Sequence, residues 1–132
     1  MSSRVITFGN FKGGTGKTTT STMVGIELAR RNLKTLLVDL DPQGNATNLY
    51  LKTKENVDNE IVSFNKTLMA GIKDQDLSQT IINILPNLDV LPSSADFSLY
   101  PRFMETVSSD YNERVWYFSK LMKEFKEKYD YI

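Results

Sequence analysis

At 132 residues, with 40% hydrophobic and 24% charged side chains, the chain has the size and balance of one globular core. Sixteen basic and sixteen acidic residues cancel, so no net field draws it to nucleic acid or to a membrane surface. The absence of cysteine and histidine excludes disulfides, thiolate and imidazole metal sites and histidine acid–base chemistry, and fits a reducing cytoplasm.

Val5-Ile6-Thr7-Phe8 is a β-branched and aromatic run that predicts a first strand ending at Gly9. Lys12-Gly13-Gly14-Thr15-Gly16-Lys17-Thr18 follows, and helical spacing begins after Gly16. A glycine-rich loop between strand and helix is the arrangement a phosphate cradle requires. Gly13, Gly14 and Gly16 permit left-handed dihedrals and close approach, so that successive N–H groups can point at phosphate oxygens. Lys17 places an ammonium at the helix start, Thr18 offers a hydroxyl to Mg²⁺, and the helix terminus adds roughly half a unit of positive charge. A plain Gly/Lys surface loop would need none of this register. The loop therefore predicts binding of a nucleoside triphosphate. The strict phosphate-loop pattern would place glycine at position 11, where this chain has Phe11, and it carries one lysine where this chain has two. In both respects residues 12–18 resemble the deviant Walker A loop of the ParA/MinD family of ATPases.

The first helix is expected from about Gly16 to Arg31, with Met23, Val24, Leu28 and Ala29 toward the sheet and Asn32 as a left-handed cap. Residues 33–40 then read as a buried strand, too continuously apolar for a one-faced antiparallel edge. Together these predict a βαβ unit over residues 4–40, with a right-handed crossover and a parallel sheet. The basic excess of residues 1–50, six Lys/Arg against three Asp/Glu, is accounted for by the loop and a solvated helix end at Arg30-Arg31.

Asp39-Leu40-Asp41-Pro42-Gln43-Gly44-Asn45 follows the second strand at its carboxyl end, where open parallel sheets bind ligands. Carboxylates at i and i+2 of an extended segment share a side. The same string also reads as a simple turn. Beyond it the chain is polar and weakly periodic. Short helices are expected over residues 62–72 and 77–82, a third strand over residues 88–91 before Pro92, and a loop at Ser93-Ser94. In the last helix Val115, Phe118, Leu121, Met122, Phe125 and Tyr129 fall on one face, Asp110 and Glu113 form a capping box, and Glu124 and Lys128 form a pair; Trp116 and Tyr117 lie at the edge of the stripe.

The Asp39 to Asn45 string resembles the Walker A′ or switch I motif of the partition (ParA/Soj) branch, more than that of the MinD branch. The resemblance recurs in Leu91-Pro92-Ser93-Ser94 and in Tyr129 to Ile132, which is similar to the opening of the Walker B strand. It implies an α/β P-loop NTPase fold, a mainly parallel sheet flanked by helices. It also implies that residues 1–132 are the N-terminal part of a single ATPase domain of the short, Soj-like subtype, cut before that strand is complete. The Walker B aspartate, the adenine-recognition positions and the DNA-binding positions are expected beyond residue 132.

Residue by residue, the resemblance gives ATP contacts to Lys12, Gly13, Gly14, Thr15, Gly16, Lys17, Thr18 and Thr19. Lys17 takes the β- and γ-phosphates and Lys12 reaches a partner's nucleotide across a homodimer. Asp41 orients the attacking water, while Thr18, Asp39 and Asp41 serve the Mg²⁺, Asp39 from its second shell. The implied function is slow ATP hydrolysis in plasmid or chromosome segregation, in the bacterial cytoplasm on the nucleoid. A ParB-like partner and non-specific DNA are implied as well, without a membrane. The alternatives are a MinD-like membrane cycler, which needs an amphipathic tail, and a nucleotide-binding module without hydrolysis. A small-molecule kinase on the same fold is disfavoured by Lys12 and the Asp-Pro-Gln-Gly-Asn string.

Overall fold

Leu88, Val90 and Leu91 are fully buried, which places β3 (Leu88–Leu91) in the middle of the sheet, between β1 (Thr35–Val38) and β2 (Ile82–Leu85). In the computed structural model, which describes residues 2–63 and 65–132, β1 and β3 pair in parallel, with Thr35 opposite Leu88 and Val38 opposite Leu91. β2 pairs antiparallel with β3. Side chains alternate across the strands as the two-residue period demands. Leu36 and Leu91 join one buried cluster with Leu68, Ile72 and Phe125, whereas Leu88 and Val90 join another with Ala29, Tyr50 and Ile84. The result is an α/β architecture with helices flanking a small mixed sheet.

Residues 4–6 and 130–132 continue this sheet beyond β1. Tyr131 N–H donates to Lys34 O (3.1 Å) and Leu36 N–H to Tyr131 O (3.0 Å), while Arg4 N–H donates to Asp130 O (2.9 Å) and Ile6 N–H to Ile132 O (2.8 Å). Both bridges are parallel. The expected first strand over residues 5–8 is therefore an extended segment bridged at Arg4, not a regular strand. Val5 and Ile6 stay 58% and 46% exposed, because one edge of the segment has no partner among the described residues. The expected βαβ unit is altered in the same way: residues 4–6 run parallel to β1, with residues 130–132 between them.

Helix α1 (Lys17–Arg30) ends as expected at Asn32, whose φ of 61° and whose N–H bond to Ala29 O (3.0 Å) complete a Schellman turn with Leu33 N–H on Leu28 O (3.2 Å). Its buried face is only partly the expected one. Ala29 is buried as expected, but so are Thr22 and Gly25, while Met23 is 61% exposed, because a second helix, α2 (Asn45–Asp58), packs on the small residues. Fully buried Tyr50 of α2 donates its hydroxyl to Thr22 O at 2.8 Å, and burial pushes its phenol well above its ordinary range. Only a residue without Cβ fits beneath it. A Cβ on Gly25 would overlap the Tyr50 hydroxyl and lie 3.6 Å from Leu88 Cδ1. Gly25→Ala is accordingly expected to destabilise the fold by about 1–3 kcal/mol, the usual cost of overpacking. Urea unfolding checks this, and Tyr50→Phe in the same background should recover part of the loss.

The remaining elements are shorter than expected. The helix expected over 62–72 is α3 (Leu68–Lys73), started by Thr67, whose Oγ1 accepts Ala70 N–H at 3.2 Å; residue 64 lies outside the described residues. The helix expected over 77–82 is absent. Asp76 Oδ1 accepts Ser78 N–H (2.9 Å) and fixes a turn, after which β2 begins. The unforeseen β2–β3 hairpin closes through Pro86-Asn87, where proline presets φ and Asn87 takes φ 65°. Helix α4 (Tyr100–Val107) precedes α5 (Tyr111–Leu121), which Asp110 caps by accepting Asn112 N–H (2.7 Å) and Glu113 N–H (3.4 Å). The reciprocal arm of the expected capping box is replaced, since Asp110 N–H donates to Ser108 Oγ (3.0 Å). The chain then tightens to a 3₁₀ segment, Lys123–Glu127, so the expected single stripe divides. Met122 and Phe125 are buried, while Val115 and Trp116 are more than half exposed.

Candidate functional site

Residues 10–16 are exposed and carry the curvature of the loop in two glycines, Gly14 at φ 69° and Gly16 at φ 85°. Any other residue there would be strained. Gly16 is the N-cap of α1 and offers no side chain to its first turn. The backbone N–H groups of Gly13, Gly14, Gly16, Lys17, Thr18 and Thr19 accordingly donate to no protein acceptor among the described residues. Lys17 folds its ammonium back over the loop and donates to Asn10 O at 2.7 Å, while Asn10 Oδ1 accepts Lys12 N–H at 2.9 Å. No expectation from the sequence fell on Asn10, and its place between the first apolar run and Lys12-Gly13-Gly14 was the available signal. Thr15 Oγ1 donates to Lys12 O at 3.4 Å. Thr18 is part-buried, its hydroxyl has no protein partner among the described residues, and its carbonyl accepts Thr22 Oγ1 at 2.6 Å.

These residues fit a polyphosphate and a divalent cation on chemistry alone. Unsatisfied N–H groups at a helix start, a lysine held at the same loop and an uncommitted hydroxyl beside it are the set that phosphate oxygens and Mg²⁺ would use.

The second motif divides into two unlike aspartates. β1 ends at Val38, so Asp39 and Asp41 lie past the strand and do not share a strand face as expected. Asp39 is 6% exposed and its carboxylate is fully engaged. Oδ2 accepts Thr47 N–H (3.0 Å) and Thr47 Oγ1–H (2.6 Å), and Oδ1 accepts Asp41 N–H (3.1 Å). It thus does the work of an N-cap for α2, whose own N-cap is Gly44 at φ 64°. Asp41 is exposed; its Oδ1 accepts Gln43 N–H at 3.0 Å and its backbone O accepts Gly44 N–H at 2.9 Å. The string does form a turn, and the turn presents the Asp41 carboxylate to solvent. No group of three or more acidic side chains able to hold a metal occurs among the described residues.

The two motifs are joined through α2. Tyr50 ties it to Thr22 of α1, and Thr47 ties it to Asp39 and to the loop that follows β3, accepting Ser93 N–H on Oγ1 at 2.9 Å. Among the described residues, no ion pair links Lys12 or Lys17 to Asp39 or Asp41.

A family model described as an AAA domain matches residues 3–132. Soj, the sporulation initiation inhibitor protein of Bacillus subtilis, is 33% identical over 135 residues, covering 98% of this chain and 47% of that protein. The chain belongs to the ParA/Soj-type family of partition ATPases. The chromosome-partitioning ATPase Soj of Treponema pallidum is 34% identical over 98% of this chain and 46% of its own length. Among solved structures, a plasmid partition protein of Borrelia burgdorferi bound to AMPPNP superposes with a TM-score of 0.75 at 27% identity, covering all of this chain and 52% of that one. The chain spans about half the length of these relatives.

Proposed function

We propose that this member of the family binds ATP with Mg²⁺ and hydrolyses it slowly, as an ATP-dependent homodimer acting in plasmid or chromosome partition. The observation that carries the reading is the run of unpartnered N–H groups from Gly13 to Thr19 with Lys17 folded over it. Thr15 lies within the same contact run. Lys17 neutralises the β- and γ-phosphates, Lys12 reaches across to the partner's nucleotide, and Asp41 orients water at the γ-phosphorus. In-line phosphoryl transfer asks for positioning and charge neutralisation more than covalent chemistry, which suits a site built of lysines and backbone amides. Bound Mg²⁺ would supply further neutralisation of the outer phosphates, with Thr18 as the hydroxyl that holds it, Asp41 facing its water shell and the enclosed Asp39 serving it only by holding Asp41. Slow turnover serves as a timer in which the ATP-bound dimer holds non-specific DNA and a ParB-like partner triggers release. The Asp39 to Asn45 string favours the partition branch over a membrane cycler. No helix among the described residues is long and apolar enough to cross a membrane, and we place the protein in the cytoplasm, on the nucleoid.

Titrating Mg-ATP into the intact protein while following thermal stability and phosphate release tests the reading. Saturating nucleotide at about 100 times Kd should add roughly 2.7 kcal/mol of stability. Turnover should lie well below the median enzyme rate of about 10 s⁻¹. Binding without any release would favour a nucleotide-binding module, and no stabilisation by ATP would refute the function.

A further inference from the structure

Resting on the ATPase reading above, we infer that Thr47 is a positioning residue for Asp41, acting through the buried carboxylate of Asp39. Thr47 is 1% exposed and is the convergence point of three segments. Its hydroxyl donates to Asp39 Oδ2 at 2.6 Å and accepts Ser93 N–H at 2.9 Å, and its own N–H donates to the same Asp39 oxygen at 3.0 Å. The other Asp39 oxygen accepts Asp41 N–H at 3.1 Å. The relay therefore runs from the loop after β3, through the first turn of α2, to the residue that faces water. Every link is buried or part-buried, where a hydrogen bond is stronger than in water and an unmade one is costly.

The geometry assigns Asp39 and Thr47 one shared task. Asp39 is too enclosed and too fully bonded to meet a ligand directly, yet it fixes the backbone of Asp41 at the point where the exposed turn starts. A threonine at this position supplies both an acceptor for Ser93 and a donor for Asp39. Valine, of the same shape, supplies neither. The packing of α2 on α1 through Tyr50 holds the other end of the device, so Asp41 is placed relative to the helix that carries Lys17 and Thr18.

Thr47→Val and Thr47→Ser in the intact protein test this. Thr47→Val should lower single-turnover hydrolysis of Mg-ATP by about 10- to 10²-fold, the effect of a small misplacement, while nucleotide affinity is kept. Thr47→Ser, which retains the hydroxyl, should restore the rate. In an Asp41→Ala background, Thr47→Val should cost nothing further, because its effect passes through Asp41. Amide exchange in the nucleotide-free protein supplies a readout independent of activity. Thr47→Val should speed exchange at Asp41 and Ser93 about tenfold or more and leave the interior of α1 unchanged. Unchanged exchange at Asp41, or an equal rate loss with and without Asp41, overturns the inference. If wild-type protein neither binds nor hydrolyses ATP, the function fails while the exchange result still decides the relay.

Discussion

Lys17→Ala is expected to abolish ATP binding, whereas Lys12→Ala spares binding but loses dimerisation and turnover. The two lysines belong to one motif but are held differently. Lys17 opens α1, is part-buried, and folds its ammonium onto Asn10 O at 2.7 Å, so its charge is held at the loop before any ligand arrives. Removing it leaves the outer phosphates without a counter-charge at the one point where the helix dipole already favours an anion. Lys12 is anchored only by its backbone, through Asn10 Oδ1, and its exposed side chain makes no ion pair among the described residues. A cation that far out on the loop serves a second molecule better than its own nucleotide. A transition-state charge supplied in trans is worth about 10³-fold or more. Titration with a fluorescent ATP analogue and sedimentation with Mg-ATP separate the two roles, with thermal melts of the nucleotide-free variants as the control for folding. Equal loss of binding in both variants would refute the division of labour.

The form of the glycine-rich loop was legible in the sequence because it is local: its glycines set the backbone, and its lysines and threonines sit on one short segment. Gly14 and Gly16 take the positive φ that their positions require, and α1 begins one residue after Gly16. The inequality of Asp39 and Asp41 was not legible, because it depends on what surrounds them. Asp39 is buried by the first turn of α2, and α2 itself was missed. Its buried face is Ala46, Thr47, Tyr50 and Leu51, two of which carry hydroxyls, so a search for apolar periodicity sees little there. Nor does its start carry an ordinary capping residue, since Gly44 holds the N-cap position and Asp39 supplies the acceptor from outside the helix.

The errors elsewhere have equally local causes. Over residues 77–82 the apolar residues suited a helix, but Asp76 and Ser78 bond within a turn, and Ile82 and Ile84 go to a strand instead. Of residues 5–8, only Ile6 is paired among the described residues, its N–H donating to Ile132 O, so the strand expected there is not a regular one. The last stripe failed where α5 gives way to a 3₁₀ segment, because the angular step per residue changes from 100° to about 120° and Phe125 no longer falls in line with Val115.

Asp41→Ala is expected to leave ATP binding intact, lower hydrolysis by about 10² to 10⁴, and so prolong the DNA-bound state of the dimer. The carboxylate is exposed, touches none of the loop lysines through an ion pair, and bonds within its own turn by one oxygen only, to Gln43 N–H at 3.0 Å. Its second oxygen is uncommitted among the described residues and is the atom available to water. The turn should survive the loss, because Gly44 N–H still bonds to the backbone carbonyl of residue 41 at 2.9 Å and Pro42 fixes the next φ. Asp41→Asn refines the test. It keeps the acceptor for Gln43 N–H but removes the negative charge, so a rate as low as that of the alanine variant would mean that the charge, and not the turn, carries the step. Recovery of the wild-type rate in Asp41→Asn would instead reduce Asp41 to a turn former. Weakened nucleotide binding in either variant would show that the side chain meets the nucleotide or its metal in the ground state, and the water-orienting role would have to be withdrawn.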